Sequence, residues 1–359
     1  MKLLLTAALG FIVLPFSTVV SQQSDVTKLY PIRLSGKAGY IDARGNVVIK
    51  PKFMRAWKFS EGLAPVQIND DPVFGYINKK GDLVIGPWNG IASVFSEGLA
   101  LTRKGFIDPT GKTVIEPRFG FAKSFSEGMA QVQLDQCIPL VDCGMIGYID
   151  KTGRVVIKPQ FRAANDFHEG FAAVRRGNDE WTFIDRDGKE ITRQHFKSDH
   201  TKSLEVTTDF SEGLAGVKID GKWGFINKVG AMVIAPQFDD VEKFSEGLAA
   251  ISTGCRWGFI DKTGRIVINT QFRYATQFSE GLAAVDPVLW TGQCPPSKSH
   301  DKLGYIDRTG KLVIESKFDL AFKFLDGLAE VVTVNPKDQN DLKHGYIDTT
   351  GSYIWRPTS

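Results

Sequence analysis

Short apolar runs separated by turn residues alternate along almost the whole chain, and the same arrangement returns every 30–46 residues. Each copy has a Gly-aromatic-Ile-Asp/Asn phrase, a β-branched run such as Val47-Val48-Ile49, and a Phe-Ser-Glu-Gly-Leu-Ala phrase with small variations. The first phrase begins at Gly39, Gly75, Gly105, Gly147, Thr182, Gly224, Gly258, Gly304 and Gly345; the last begins at Phe59, Phe95, Phe125, Phe167, Phe210, Phe244, Phe278 and Phe324. This period is typical of repeat architectures, in which each unit buries its apolar face against its neighbours.

Each repeat predicts three short antiparallel strands. The first phrase and the β-branched run flank a turn that begins with Asp42 and ends with Gly45, which is a hairpin signal. Pro51 is expected to end the second strand because proline offers no N–H to a neighbour. Leu-Ala-x-Val after Ser-Glu-Gly forms the third strand. No stretch has a sustained helical period, so the chain is predicted to be all-β.

The spacing of the two phrases separates a constant half of each repeat from a variable half. The distance from the first Gly to the Phe is 20 residues in seven of eight repeats, whereas the return to the next copy varies from 10 to 26 residues. We therefore predict one repeat domain over residues 28–357, made of about nine three-stranded β-meanders. An open solenoid or superhelix is favoured, and a closed or propeller-like ring is the alternative.

Two of the repeats also resemble a known family. Lys222-Trp223-Gly224-Phe225-Ile226-Asn227 and the stretch from Arg256 to Gly264 are similar to the bacterial WG-repeat (KWG) family. The resemblance covers nearly all of the chain after residue 28. It implies a β-rich repeat domain with an interaction role and no general catalytic residues. Trp stands directly before Gly only at 223 and 257, and we interpret it as a packing residue.

The N-terminal segment predicts export. Met1-Lys2 is followed by an apolar run, Leu3 to Leu14, that is too short to span a bilayer comfortably. We expect residues 1–21 to be a signal peptide cleaved after Ser21, and residues 22–27 to be a short linker. The mature protein is then periplasmic or extracellular with no membrane span; an uncleaved anchor is the alternative.

The charge balance argues against a nucleic-acid partner. The 359 residues include 44 Lys and Arg and 41 Asp and Glu, a formal net charge of +3. The two signs are interspersed, and no basic stripe is present of the kind that binds phosphate backbones.

All four cysteines fall in the variable halves of the repeats. In an exported protein such cysteines are expected to form disulfides. We predict Cys137–Cys143 within one return and Cys255–Cys294 between neighbouring repeats.

The repeated carboxylates invite a catalytic interpretation that we do not favour. A glycosidase needs one pair of carboxylates with divergent pKa values, not eight equivalent copies. Asn78 and Asn227 replace the Asp of the first phrase, so this position requires a turn-forming hydrogen bond rather than a charge. We predict no catalytic residues, no metal site and no cofactor.

The variable returns are the predicted binding surfaces, because loops on a rigid scaffold are where binding concentrates. The longest are Asp135–Ile146, Asp286–Leu303 and Val334–His344. The favoured function is a non-enzymatic scaffold that binds a protein or peptide; a cell-wall or carbohydrate-binding module is the alternative, and an enzyme with its site in an insertion is a minor third. The candidate binding residues are Trp88, Trp290, Asp286, His300 and Asp338.

Overall fold

The computed structural model describes residues 28–134, 144–177, 180–192, 196–197, 207–288, 301–335 and 337–356. These residues form nine antiparallel sheets of three or four strands each. The described part of the chain contains no helix long and apolar enough to cross a membrane.

The sheets follow one another along the chain. The first contains β1 (Tyr30–Leu34), β2 (Lys37–Ile41) and β3 (Val47–Phe53); the second β4 (Arg55–Ala56), β5 (Ala64–Gln67), β6 (Val73–Ile77) and β7 (Leu83–Asn89). The third contains β8 (Ala100–Thr102), β9 (Gly105–Ile107) and β10 (Thr113–Ile115); the fourth β11 (Phe119–Ala122), β12 (Met129–Leu134), β13 (Ile146–Asp150) and β14 (Val155–Phe161). The fifth contains β15 (Ala163–Ala164), β16 (Phe171–Arg175), β17 (Glu180–Asp185) and β18 (Phe196–Lys197).

The remaining four sheets repeat the pattern. The sixth contains β19 (Leu214–Ile219), β20 (Lys222–Asn227) and β21 (Met232–Phe238); the seventh β22 (Asp240–Val241), β23 (Leu248–Thr253), β24 (Arg256–Asp261) and β25 (Ile266–Phe272). The eighth contains β26 (Tyr274–Ala275), β27 (Ala283–Asp286), β28 (Leu303–Ile306) and β29 (Leu312–Phe318). The ninth contains β30 (Leu320–Ala321), β31 (Leu328–Asn335), β32 (Asp338–Asp348) and β33 (Tyr353–Trp355).

The predicted meander is confirmed, with two differences. Most sheets have a short extra strand before the Phe-Ser-Glu-Gly phrase, such as β4. Because β4 is only two residues long, it shows no alternation of apolar and polar residues from which a strand could be predicted. Proline does not end the second strand, since β3 runs from Val47 through Pro51 to Phe53. β3 lies at the edge of its sheet with a register shift against β2, and both settings tolerate a residue without an N–H.

The same register shift explains why Gly opens the first phrase. A Cβ on Gly39 would lie 2.4 Å from the carbonyl oxygen of Ile49 on the neighbouring strand. Any larger residue would therefore push the two strands apart. In the fifth repeat, where Thr182 replaces this Gly, its Oγ1 instead meets Thr192 Oγ1 at 2.8 Å.

Among the described residues the apolar core is divided into nine clusters, and each cluster lies between two neighbouring sheets. Tyr40, Ile49 and Phe53 of the first sheet, for example, pack against Ala64 and Val66 of the second. The clusters continue through every junction in chain order. Trp223 and Trp257, which precede the Gly, are buried in these clusters, as interpreted from the sequence, and so is Trp181, which holds the same place before Thr182.

One aromatic pair recurs at the centre of the junctions. The Phe of each Phe-Ser-Glu-Gly phrase packs against the aromatic residue of the preceding sheet's first phrase, with ring centroids 4.7–5.0 Å apart. The pairs are Tyr40–Phe59, Tyr76–Phe95, Phe106–Phe125, Tyr148–Phe167, Phe183–Phe210, Phe225–Phe244, Phe259–Phe278 and Tyr305–Phe324. Tilted and edge-on contacts at this distance are favourable for aromatic rings.

The ninth cluster closes the array into a ring. It joins Ile32 and Ile41 of the first sheet to Leu328 and Tyr346 of the ninth. The open solenoid favoured from the sequence is therefore wrong, and the closed, propeller-like ring that was its alternative is the observed arrangement. Spacing along the chain does not reveal this, because the angle between successive sheets is set by side-chain packing across each junction.

The hairpin glycine of each sheet lies against the preceding sheet. Gly81 of the second sheet lies against the Ile49 side chain of the first, and six later hairpin glycines contact the corresponding Ile side chain. At the junction between the ninth and first sheets, which we call the seam, the hairpin glycine Gly45 lies instead against the backbone of Ile354. A Cβ on Gly45 would lie 2.3 Å from the Ile354 carbonyl oxygen.

This contact gives a test of ring closure. Gly45 and Gly98 have almost the same backbone φ, +84° and +85°, but a Cβ on Gly98 meets no atom within 4 Å. Gly98→Ala should cost roughly 1–2 kcal/mol, the usual penalty of a left-handed conformation. Gly45→Ala should cost about 1–3 kcal/mol more, because the added methyl group also overpacks the seam. Urea denaturation of both variants measures the difference; equal losses would mean that the ends do not meet.

Candidate functional site

The first set of repeated carboxylates forms turns. Asp42 Oδ1 accepts the backbone N–H groups of Arg44 and Asn46, both at 2.9 Å. Asn78 Oδ1 accepts the corresponding N–H groups of Lys80 and Asp82 at 2.9 and 3.1 Å. The same pair of bonds recurs at the other hairpins. The interpretation of these residues as turn formers rather than catalytic groups agrees with this geometry.

The second set, the acidic residues of the Phe-Ser-Glu-Gly phrase, joins neighbouring sheets. We call this turn the motif turn; its acidic residue has a left-handed backbone, with φ between +52° and +57°. Each glutamate carboxylate accepts the N–H of the Gly in the next motif turn at 2.7–3.0 Å. The pairs are Glu61–Gly98, Glu97–Gly128, Glu127–Gly170, Glu169–Gly213, Glu212–Gly247, Glu246–Gly281 and Glu280–Gly327.

Two further groups complete this inter-sheet link. The motif Ser donates its hydroxyl to the carbonyl of the next motif Phe, as Ser60 does to Phe95 at 2.8 Å. A basic residue from the next hairpin pairs with the carboxylate at five junctions. These pairs are Lys151–Glu97, Arg186–Glu127, Lys228–Glu169, Lys262–Glu212 and Arg308–Glu246. The motif turn therefore holds the ring together, which is more than the local turn role predicted for it.

The link also shifts the pKa of its carboxylates. Burial alone would raise the pKa of Glu127, but hydrogen bonds from Gly170, Arg186 and Glu169 outweigh burial and hold the pKa below its ordinary value. Glu97 and Glu169 behave in the same way. A carboxyl held in this state is a stabilised anion with its lone pairs engaged, which suits a scaffold and not a general acid or base.

In its sequence, the first sheet lacks the Phe-Ser-Glu-Gly phrase that the other eight sheets carry, in some cases with small variations. The register of β1 against β2 matches that of β5 against β6, so Leu29 corresponds to Leu63 and Lys28 to Gly62. The Phe-Ser-Glu phrase that would precede Lys28 is replaced in the sequence by Asp25-Val26-Thr27, which lie outside the described residues.

Other contacts close the seam instead. Lys28 Nζ pairs with Asp326, and Tyr30 Oη donates to the Asp326 carbonyl at 3.1 Å. The Tyr30 and Tyr346 rings pack with centroids 5.6 Å apart, and Tyr346 Oη donates to the Pro31 carbonyl at 3.0 Å. The seam and the adjoining junction between the first and second sheets are thus the two junctions of the described ring without the Glu–Gly link.

A cleft of about 510 Å³ opens at this place. It lies between the start of the first sheet, the motif turn of the second sheet around Glu61, and that of the ninth sheet around Asp326. Its walls combine apolar side chains, including Phe59, Phe322 and Leu325, with several lysines. The seam cleft is our candidate functional site.

Trp88, a candidate from the sequence, lies at a second concave surface. Its ring is half-buried against Tyr76, its Nε1 donates to the Ile91 carbonyl at 3.0 Å, and Lys104 Nζ lies 5.9 Å from the ring centroid. An open groove of about 650 Å³ runs past Trp88, Arg103 and Lys104.

The other predicted binding residues belong to the long returns, and the structure describes two of the four. Asp286 is fully buried, and its carboxylate accepts the N–H groups of Val288 and Asp301 at 3.0 and 2.8 Å, so it fixes both ends of its return. Asp338 is exposed at the tip of the long β31–β32 hairpin, which replaces the loop expected at 334–344. Trp290 and His300 lie outside the described residues.

Of the four cysteines in the two predicted disulfides, the structure describes Cys255. Cys255 is disulfide-bonded and adopts a left-handed backbone with φ of +66°. Cys137, Cys143 and Cys294 lie outside the described residues, so the pairings Cys137–Cys143 and Cys255–Cys294 stay predictions.

Sequence reasoning missed the seam cleft, although a signal for it is present. The chain carries nine first phrases but eight Phe-Ser-Glu-Gly phrases, and the eighth is altered to Phe324-Leu325-Asp326-Gly327. In an open array a missing phrase marks only an end. In a closed ring the same absence lies between two sheets and creates a cleft.

These features define a closed ring of β-repeats, and the comparison with known families agrees. A family model described as WG containing repeat matches residues 39–70, 74–105, 105–136, 146–178, 205–223, 223–254, 257–286 and 304–333. The matches cover more than half of the chain, which therefore belongs to this family. No curated protein matches the chain.

Solved structures resemble the chain in fold at low sequence identity. A eukaryotic initiation factor is 12% identical with a TM-score of 0.53, covering 92% of this chain and 100% of its own. BamB from Moraxella catarrhalis is 10% identical with a TM-score of 0.45, covering 93% and 91%. The computationally designed Ika8 protein is 12% identical with a TM-score of 0.44, covering 80% and 94%. The first supports the overall fold; the other two scores are too low to carry an argument.

The lowered pKa of Glu127 predicts how the link responds to pH. Because the folded pKa lies below the unfolded value, the stabilisation is complete above about pH 4.3 and is lost as the pH falls through the folded pKa. Glu127→Gln should therefore cost about 1 kcal/mol at pH 7, and this difference from wild type should shrink below pH 4. The measurement is the free energy of unfolding between pH 7 and pH 3.

Glu116→Gln is the matched control, because Glu116 is exposed and shows no such link. It should leave the stability within about 0.5 kcal/mol of wild type throughout. A Glu127→Gln penalty that stays constant down to pH 3 would contradict the ionic link.

Proposed function

We propose that the protein is an exported, non-enzymatic scaffold that binds a protein or peptide partner. The observation that carries the proposal is the engagement of the repeated carboxylates: the Asp/Asn set closes hairpins and the Glu set links sheets. Acidic groups held in this way are not available as proton donors or nucleophiles. What remains for function is the shape and chemistry of the ring's surface.

The construction of the ring supports binding by its variable parts. A scaffold with the same link at successive junctions is rigid, and returns of different lengths present different surfaces from it. The 286–303 return illustrates this, because Asp286 fixes its base while its sequence is shared with no other return. The exported location rests on the apolar N-terminal segment.

A cell-wall glycan is the second candidate ligand. The observation that favours it is the groove beside Trp88, where a half-exposed indole lies near Arg103 and Lys104. Aromatic faces stack on sugar rings, and the two cations suit acidic glycans. Pull-down with insoluble peptidoglycan tests this candidate, with Trp88→Ala expected to abolish retention.

The export proposal predicts the N-terminus of the mature protein. Expression of the full chain in a Gram-negative host should yield a periplasmic or secreted protein that begins at Gln22, because the signal peptide is removed after Ser21. Mass spectrometry of the fractionated protein measures this. Recovery of the intact Met1 form from the membrane fraction would support the uncleaved anchor instead.

The returns predict a separation of binding from stability. Replacing residues 289–300 by a short Gly-Ser linker, with Cys255→Ser, should reduce partner crosslinking severalfold. The melting temperature should stay near that of Cys255→Ser alone, which is the control, because Asp286 and Asp301 are retained. In vivo photo-crosslinking of the exported protein is the measurement, and an unchanged crosslinking yield would remove this return from the binding surface.

A further inference from the structure

The seam cleft contains the receiving half of an inter-sheet link without the glutamate that the other links use. At seven junctions the Gly N–H of a motif turn is bound by a glutamate of the preceding sheet. The eighth such Gly is Gly62, and the residue that would supply its glutamate is Thr27. Threonine has no carboxylate. Within the described part of the chain, no acceptor takes the Gly62 N–H.

The basic partner of the missing carboxylate is also in place. Lys79 follows Asn78 as Lys228 follows Asn227, and Lys228 Nζ lies 3.1 Å from the Glu169 carboxylate. Lys79 lines the seam cleft together with Gly62. It forms no ion pair with any described residue. Gly62 and Lys79 therefore reproduce a carboxylate-binding arrangement that is filled elsewhere in the same molecule.

The apolar side chains of the cleft are more exposed than their counterparts at the other junctions. The motif Phe is at most 3% exposed in the seven later turns, whereas Phe59 is only half-buried. On the opposite wall Phe322 and Leu325 are 47% and 51% exposed. These side chains form an apolar surface beside the Gly62 amide. A peptide with one apolar and one acidic side chain can therefore contact both.

The charges of the cleft favour an anionic ligand. Of its acidic residues, Asp326 is paired with Lys28, Glu61 binds the Gly98 N–H, and Glu330 lies 2.7 Å from His344. Its other lysines, Lys58, Lys79 and Lys323, have no ionic partner among the described residues. The cleft lining thus has four lysines against three acidic residues, and none of the three carboxylates pairs with Lys79 or accepts the Gly62 N–H.

We propose that the seam cleft binds an acidic peptide segment of the partner protein, in which a glutamate follows an aromatic or leucine residue by two positions. The glutamate carboxylate accepts the Gly62 N–H and pairs with Lys79, and the apolar side chain packs against Phe59, Phe322 and Leu325. The spacing is that of Phe-Ser-Glu, which the ring accommodates at its other junctions. This inference rests on the proposed scaffold function and specifies the chemistry of its partner.

The chain's own motif supplies the probe. A fluorescein-labelled peptide Lys-Phe-Ser-Glu-Gly-Leu-Ala, the sequence of residues 243–249, is blocked at both ends so that Glu is the one carboxylate of the peptide itself. The negative charge of the dye is matched in the Gln peptide, which carries the same label. Fluorescence anisotropy with the mature protein should show saturable binding that weakens as salt is raised. Replacing Glu by Gln in the peptide, or Lys79→Ala in the protein, should weaken binding about fivefold or more. Lys80→Ala, one residue away and outside the cleft lining, should leave it unchanged.

Several results would overturn the proposal. Equal binding of the Glu and Gln peptides, or equal effects of Lys79→Ala and Lys80→Ala, would exclude the carboxylate site. Binding that appears only after residues 22–27 are removed would identify the chain's own N-terminal segment as the occupant. Self-association that Lys79→Ala abolishes in analytical ultracentrifugation would identify a second copy.

The scaffold function can be distinguished from this inference. If the peptide fails to bind but the exported protein still crosslinks to a partner through the 286–303 return, the seam proposal fails alone. If Lys79→Ala lowers peptide affinity and partner crosslinking together, with Lys80→Ala neutral in both, the two proposals describe the same site.

Discussion

The structure depends on the link between one motif turn and the next. A glutamate held in a left-handed backbone conformation directs its carboxylate to the amide of the following turn, while the preceding Phe packs on the aromatic residue of the sheet before it. Each hydrogen bond contributes about 1 kcal/mol, but the two contacts together fix how one sheet sits on its neighbour. Repetition of a fixed geometry turns a set of small meanders into a ring.

The local parts of this arrangement were predictable from the sequence. The hairpins depend on Asp or Asn bonding to amides two and four residues ahead, and this interaction is complete within a five-residue window. Asn78 and Asn227 stand where the other repeats have Asp, which already indicated that this position needs a hydrogen bond rather than a charge. The number of repeats and the order of the strands follow from the same short-range pattern.

The parts that sequence reasoning missed are those that join separate repeats. The partner of Glu127 is 43 positions away, and nothing in a single repeat reveals it. Closure depends on the angle across each junction, which packing sets and spacing does not encode. The seam cleft combines both problems: the missing Phe-Ser-Glu is visible in the sequence, but it becomes a cleft only because Leu325 and Phe59 are brought to the same place.

The closed ring has a consequence for assembly of the chain. Contacts between successive sheets span a few tens of positions, whereas Tyr346 and Pro31 are 315 positions apart. Contacts of such long range form late, so the sheets are expected to stack before the ends meet. Until then the array carries two complementary apolar end faces, one with Ile41 and one with Leu328. Two chains could join through these faces in head-to-tail order, and such a contact propagates into filaments unless it closes. Intramolecular closure at the seam removes both faces at once, and so protects each molecule from polymerising with its own copies.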